Sequence, residues 1–230
     1  VFGNTEGGPV TDSLLVLCAA NVCRSPLMEF VLTQTGAGAD AEPHWTTKSR
    51  GTETTRSQHL CATVTDLIAD SGFGQSFAEL HRPTMLEPEL LDEQDLIVTA
   101  SKEERSIVAR LRPQLRSRTF TVKEAVRLGR APLTEAEIRR AGSLAPQSTG
   151  LALYAALLHE RRGMVNLGRA RRPLLPWTAA VDPIDVPDVH DASRRVHVRA
   201  LKEAEAAARE LRTQLSRFVR GPGFTLRRDH

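Results

Sequence analysis

Apolar residues fall along the chain in two kinds of run: short unbroken blocks, and longer stretches in which they recur every three or four positions. Leu14 to Leu17 is a block of the first kind, the pattern of a strand buried on both faces, and Asp95 to Thr99 (DLIVT) is another. His44 to Ser49 and Thr119 to Val122 complete a set of four predicted strands. Helical patterns lie between them. Ser25-Pro26 opens one that ends near Gly36, since proline suits a first helical turn and glycine a terminus. Gln58 to Ala69 carries Leu60, Val64, Leu67 and Ile68 at helical spacing before Gly72, and Ser101 to Leu111 runs until Pro113 stops it. Strands alternating with helices predict an α/β fold: three layers, α/β/α, around a central four-stranded parallel sheet.

The remainder is organised differently. Residues 1–12, rich in Gly, Thr and Pro without periodicity, read as a flexible lead-in. From Lys123 to Arg172 the pattern is helical but broken by Pro132 and Pro146, with Thr134 and Glu137 spaced as a capping box. Pro173 to Val189 holds four prolines and three aspartates and reads as a loop. A long helix from Ser193, its cap, to Val219 ends at Gly221-Pro222. The expected division is an α/β domain of residues 13–122 and 181–220, a basic, mainly helical insertion at 123–180, and a tail at 221–230.

Composition narrows the classes. With 230 residues, 40% hydrophobic and 26% charged, the chain can build a proper core. The strongly apolar run from Leu14 to Ala20 is far short of the roughly 20 residues that a membrane span requires, and the start does not read as a secretion signal, so a cytoplasmic protein is expected. The net charge of +3 conceals 16 Lys and Arg against 6 Glu between Lys102 and Arg172, which leaves the rest of the chain at −7. With few aromatics among them, these cations read as a solvated face, and nucleic acid is not an expected partner. The three cysteines, Cys18, Cys23 and Cys61, are too few for a disulfide framework and lack the paired spacing of a zinc site. No metal and no cofactor are expected. Cys61, on the apolar face of a predicted helix, reads as inert core.

Reactivity is concentrated in Cys18-Ala19-Ala20-Asn21-Val22-Cys23-Arg24-Ser25-Pro26, between the first strand and the first helix, where parallel α/β folds bind ligands. Backbone N–H groups of such a loop and the positive end of the following helix favour a thiolate at Cys18 and would hold a phosphate dianion. Arg24 can add a guanidinium fork on two phosphate oxygens, and Asn21 tolerates the left-handed conformation of a tight anion loop. The bland alternative is a small buried cysteine at a strand end.

This segment resembles the signature of the low molecular weight protein tyrosine phosphatases, Cys-x-Gly-Asn-x-Cys-Arg-Ser-Pro, with Ala20 where the family usually has Gly. Ser49-Arg50-Gly51-Thr52, His81-Arg82 and Asp95 to Thr99 extend the resemblance. It implies Cys18 as nucleophile, Arg24 as phosphate binder, the amides of Ala19 to Ser25 around the phosphate, and Ser25 as donor to the departing thiolate. Asn21, Ser49 and His81 are implied as a bracing network. Ser49 and His81 otherwise read as an ordinary strand-end serine and a surface histidine. Hydrolysis through a cysteinyl-phosphate is implied, of a phosphorylated protein or small aryl phosphate, with inorganic phosphate as product.

The family's general acid is an Asp in an Asp-Pro-aromatic loop ahead of the last helix. Asp188 has the spacing and is favoured; Asp182 has the following proline, and Asp185 comes third. The tyrosine that the family places two residues after the acid is replaced, because neither Ile184 nor His190 is one and Tyr154 is the only tyrosine. Trp45, Trp177 or the basic stretch are candidates for a replacement wall. Val22 stands where arginine-phosphatase-like members carry Thr. Cys23 is expected either to form a protective disulfide with Cys18, as its family counterpart does, or to pack the loop. Two other functions remain open: arsenate reduction on the same fold, for which the thioredoxin-coupled type would need cysteines beyond Cys61, and a non-catalytic phosphate-binding module.

Overall fold

A computed structural model of the chain describes residues 12–34, 45–54, 59–144, 150–168 and 182–221. Most of the lead-in, the tail beyond Gly221, and His44, Gly36, Gln58, Pro146 and Trp177 lie outside the described residues. Strands β1 (Asp12–Cys18), β2 (Trp45–Gly51), β3 (Leu96–Thr99) and β4 (Thr119–Thr121) form one parallel sheet in the order β2-β1-β3-β4. The chain leaves β1 toward β2 on one side and returns to β3 on the other. The switch in direction therefore falls at the carboxyl end of β1, where such sheets form a ligand crevice.

Side chains alternate across the sheet, so one strand serves two cores. Leu14, Val16 and Cys18 join Leu96, Val98 and Phe120 on one face; Leu15, Leu17 and Ile97 join Leu91, Val108 and Leu115 on the other. The first face is covered by α1 (Arg24–Thr33), α5 (Val122–Gly129), α7 (Gly150–Arg161) and α8 (Arg194–Arg220), the second by α4 (Lys102–Leu111) and the short turn at Pro113–Arg118. The helical layers expected from the sequence are thus present, and the fold is α/β. Helices α2 (Ala62–Ile68) and α3 (Gly74–Leu80) lie between β2 and β3 in the chain, and α6 (Glu135–Leu144) precedes α7.

Local chemistry accounts for the ends. Ser101 caps α4 in a reciprocal box with Glu104, and Thr121 caps α5 with Glu124. The Thr134–Glu137 pair at the start of α6 makes the predicted box, with Thr134 N–H on Glu137 at 2.9 Å and Glu137 N–H on Thr134 at 3.3 Å. Ser193 stands at the N-cap of α8 but makes no side-chain cap bond. The helix expected from Gln58 begins only at Ala62, because the Cys61 N–H is drawn to Val22 O at 3.0 Å.

Two expectations for the basic stretch change. Leu151, Leu153, Tyr154, Leu157 and Leu158 of α7 are buried in the same cluster as β1 and α8, so this helix belongs to the main core. Nor are its cations all solvated. Arg161, buried, binds Glu137 at 2.8 and 3.0 Å and the carbonyls of Leu128, Ala131 and Pro132. Arg162 pairs with Glu124 at 3.0 Å and lies 4.1 Å over the Phe120 ring. Where α5, α7 and α8 meet, a Cβ on Gly129 would fall 2.2 Å from Tyr154 Oη, and that hydroxyl donates to Gln214 at 3.1 Å. Among the described residues no helix is long and apolar enough to cross a membrane.

Candidate active site

Cys18 closes β1, and the next five residues wrap in front of α1. Every carbonyl from Cys18 to Val22 is engaged outward. Thr52 N–H donates to Cys18 O at 3.0 Å, Glu53 N–H to Ala19 O at 2.8 Å, and Thr54 Oγ1 to Ala20 O at 3.1 Å. His81 Nε2 donates to Asn21 O at 2.9 Å and Cys61 N–H to Val22 O at 3.0 Å. A trans peptide points its N–H opposite to its C=O, so the amides of Ala19 through Cys23 turn inward. The Asn21 N–H shows the direction, donating to Cys18 Sγ at 3.3 Å. A ring of inward donors at the start of a helix is suited to an anion with three or four oxygens.

Asn21 is the one non-glycine residue among those described with a left-handed backbone, φ 56°. It is fully buried and its side chain is fully used: Nδ2 donates to Ser25 Oγ at 2.9 Å and Ser49 Oγ at 2.8 Å, while Oδ1 accepts from Thr84 N–H at 2.9 Å. Ser49 in turn donates to Glu29 at 2.5 Å. Burial raises the Glu29 carboxyl above its ordinary value, against the opposing pull of Ser49 and Arg50. Ser25 Oγ lies 3.0 Å from Cys18 Sγ. The sharp bend is therefore at Asn21, and Ala20 lies outside the left-handed region that would call for glycine. Gly51 is the glycine this loop cannot do without, since a Cβ there would meet Thr54 Oγ1 at 1.9 Å and Ala19 O at 2.6 Å.

The predicted bracing residues Ser49 and His81 are thus both in contact with Asn21. Burial lowers the His81 pKa, and its ring stacks on Phe77. Donation to a carbonyl fixes the proton on Nε2.

Arg24 is buried at the first position of α1. It donates to Val186 O at 3.2 Å, lies 3.5 Å from Glu104, and pairs directly with Asp188. Glu104 is a partner of Arg24 that the sequence does not announce. Its spacing from Ser101 reads as a helix cap, and nothing in that spacing reveals the guanidinium behind it.

Asp188 comes from the irregular segment 182–192, which is pinned along the carboxyl ends of the strands. Val186 N–H donates to Ala100 O at 2.9 Å, Thr121 Oγ1 to Ile184 O at 2.6 Å, and Lys102 N–H to Asp185 at 2.9 Å. The three candidate aspartates separate clearly. Asp188, half-exposed, faces Arg24. Asp182 pairs with Lys102, and although burial alone would raise its pKa, that ammonium and the Ile184 amide hold it below the ordinary value. Asp185 is raised by burial.

His190, where the family places its tyrosine relative to Asp188, has its Nδ1 3.2 Å from Cys23 Sγ. The expected replacement walls do not form from Trp45, which is buried in the core at the opposite end of β2 from Gly51. Tyr154 is core in α7, and Trp177 lies outside the described residues. Cys61 is buried in the core as expected, but at the N-cap of α2 rather than on its apolar face, with Sγ 4.0 Å from His197 Nε2 and Cys23 close by. Hydrogen bonding between Cys23 and Cys61 lowers the pKa of the Cys61 thiol and, with burial, pushes that of Cys23 up. All three cysteines are free thiols.

Comparisons with known proteins bear on the fold and the family. The chain's fold matches crystal structures of a YwlE mutant from Bacillus subtilis (TM-score 0.55, 16% identity, covering 90% of this chain and 99% of that one) and of the tyrosine phosphatase AmsI from Erwinia amylovora (0.54, 19%, 91% and 97%). The YwlE arginine phosphatase from Geobacillus stearothermophilus is similarly close (0.54, 14%, 90% and 95%). No curated protein matches in sequence. The family model for low molecular weight phosphotyrosine protein phosphatase matches residues 13–134, which takes in β1, the loop, β2 and β3. The chain belongs to the low molecular weight phosphotyrosine protein phosphatase family.

Proposed function

We propose that the protein hydrolyses phosphate monoesters, with protein phosphotyrosine as its substrate, in a cytoplasmic setting that keeps its thiols reduced. The observation that carries the reading is the loop: a free thiol at Cys18, carbonyls engaged outward, amides turned inward, and Arg24 held by buried partners. Cys18 Sγ attacks phosphorus as the ester P–O bond breaks, and Asp188 gives its proton to the leaving oxygen. Water then attacks the cysteinyl-phosphate, Asp188 takes back a proton, and the S–P electron pair returns to Cys18. Ser25, 3.0 Å away, donates to the thiolate at that moment. Arg24 turns from Asp188 toward two phosphate oxygens and meets the charge that grows on them. Asn21, Ser49 and His81 hold the loop in shape.

Phosphotyrosine is preferred to phosphoarginine because Val22 stands where the arginine-phosphatase-like members carry Thr. The test is turnover of p-nitrophenyl phosphate, a phosphotyrosine peptide and a phosphoarginine substrate by the reduced parent protein and Cys18→Ser. We expect hydrolysis of both aryl esters by the parent alone. Absence of turnover in the parent would overturn the reading. In that case vanadate binding without hydrolysis would point to a phosphate-binding module, and arsenate-dependent thiol consumption to a reductase.

A further inference from the structure

Beside the loop, four metal-ligating side chains converge from four separate parts of the chain. Cys23 precedes α1, Cys61 caps α2, His190 lies two residues after Asp188, and His197 is in the first turn of α8. One donor atom from each lies within 4.8 Å of every other. We propose that Cys23, Cys61, His190 and His197 bind a single zinc ion, which fastens the Asp188 segment to the phosphate loop. The inference goes beyond the phosphatase reading and does not depend on it.

Geometry comes first. Tetrahedral zinc with S at about 2.3 Å and N at about 2.0–2.1 Å sets its donors roughly 3.3–3.8 Å apart. Cys23 Sγ and His190 Nδ1 are at 3.2 Å and Cys61 Sγ and His197 Nε2 at 4.0 Å, so the cage must shrink by only about 1 Å at its widest. The two imidazoles meet edge to face, 5.3 Å between centroids and 83° between planes, so they do not stack face to face across the gap.

The donor set selects the ion. Two thiols and two imidazoles without a carboxylate suit zinc and its thiophilic neighbours, whereas magnesium and calcium want oxygen. Four protein ligands leave no open position, the arrangement of a structural rather than a catalytic zinc. Cys23, Cys61 and His197 are buried while His190 is exposed, which gives an ion a way in. On binding, two S–H bonds break and their protons go to solvent, two Zn–S bonds form, and each histidine donates a nitrogen lone pair.

The consequences reach the loop on both sides. A zinc on Cys23 removes the second thiol that would otherwise pair with Cys18. A zinc on His190 holds the Asp188 segment beside the loop. The spacing of these ligands, 23, 61, 190 and 197, fits no sequence motif, so the sequence alone predicts no metal.

The experiment uses the full chain, reduced and stripped with a chelator, titrated with Co²⁺ and then Zn²⁺. We expect one cobalt per chain with thiolate-to-metal charge transfer and tetrahedral ligand-field bands, bleached by one equivalent of zinc, and a zinc-dependent rise in Tm. Cys61→Ser and His197→Ala should lose the bands, with zinc affinity falling by more than the ~10–100-fold typical of losing an outer partner. Cys18→Ser should keep them. His190→Ala alters an exposed side chain and stays informative if the buried variants fail to fold. The proposal is overturned if reduced protein shows no thiolate bands, or if Cys18→Ser loses them and Cys61→Ser keeps them. The first outcome would leave the pair as a site for a Cys23–Cys61 disulfide, the second would put the metal on the nucleophile.

Discussion

The Asn21 amide donates to the Ser49 hydroxyl at 2.8 Å, and Ser49 donates to Glu29 at 2.5 Å, so the loop is tied to β2 and to α1 through one chain of hydrogen bonds. Ser49→Ala leaves one Asn21 N–H and the Glu29 carboxyl without that partner. The expected cost is about 1–3 kcal/mol of stability, with a larger proportional loss in kcat than in apparent substrate affinity. Chemical denaturation and steady-state kinetics on the same preparation check both. Unchanged kcat would remove Ser49 from the bracing network.

Asp188 and Asp182 are distinguished by their partners. Asp188→Asn keeps the side chain's shape beside Arg24 but removes the proton donor, and kcat toward a phosphotyrosine peptide should fall by about 10²–10⁴. The loss should shrink for esters whose leaving group needs no proton. Asp182→Asn breaks a pairing with Lys102 away from Arg24 and should change kcat by no more than a few-fold. The reverse order would transfer the acid to Asp182.

Gly51→Ala places a methyl group against Ala19 O and Thr54 Oγ1, and backbone cannot retreat as a flexible side chain can. Activity should fall by about 10² or more if the loop is displaced by an ångström. Near-wild-type turnover would show that the approach of β2 to the loop has slack.

The Arg161–Glu137 pair gives a pH signature. The Arg161 hydrogen bonds, with those of Thr134, hold Glu137 down at about 2, below the ordinary 4.5. A carboxyl depressed in the folded state stabilises the protein above its unfolded pKa, and the contribution is lost as pH falls from about 4.5 toward about 2. Glu137→Gln should therefore be less stable than the parent at pH 6, with the gap closing through that window. Thermal unfolding at a series of pH values reads it directly, and a gap constant with pH would contradict the assignment.

What the sequence reveals and what it conceals follows from how each contact is made. β1, the loop and the start of α1 are contiguous, so a block from Leu14 to Leu17 followed by Cys18, Arg24 and Ser25-Pro26 is enough to place the loop between strand and helix. The Thr134–Glu137 cap is legible for the same reason. Asp188 is favoured in the sequence by its distance from α8, and its pairing with Arg24, where Asp182 pairs with Lys102, is a contact that spacing does not show. Trp45 misleads because a tryptophan near a site in sequence can lie at the far end of a parallel strand. Arg161 misleads because charge is counted before the carbonyls that satisfy it are known. Cys61 and His197 are silent as a pair, since only the packing of α8 near α2 brings them together.

The separation of Arg24 and Asp188 by 164 residues has a meaning for how the molecule is made. A ribosome finishes the sheet strands and the loop well before it reaches the segment that crosses them. Until α8 follows, the faces of α1 and α5 that pack against it lack that cover. The half-made chain thus carries Cys18 beside an incomplete core, and the stretch that supplies α8, Asp188 and His190 is made after it.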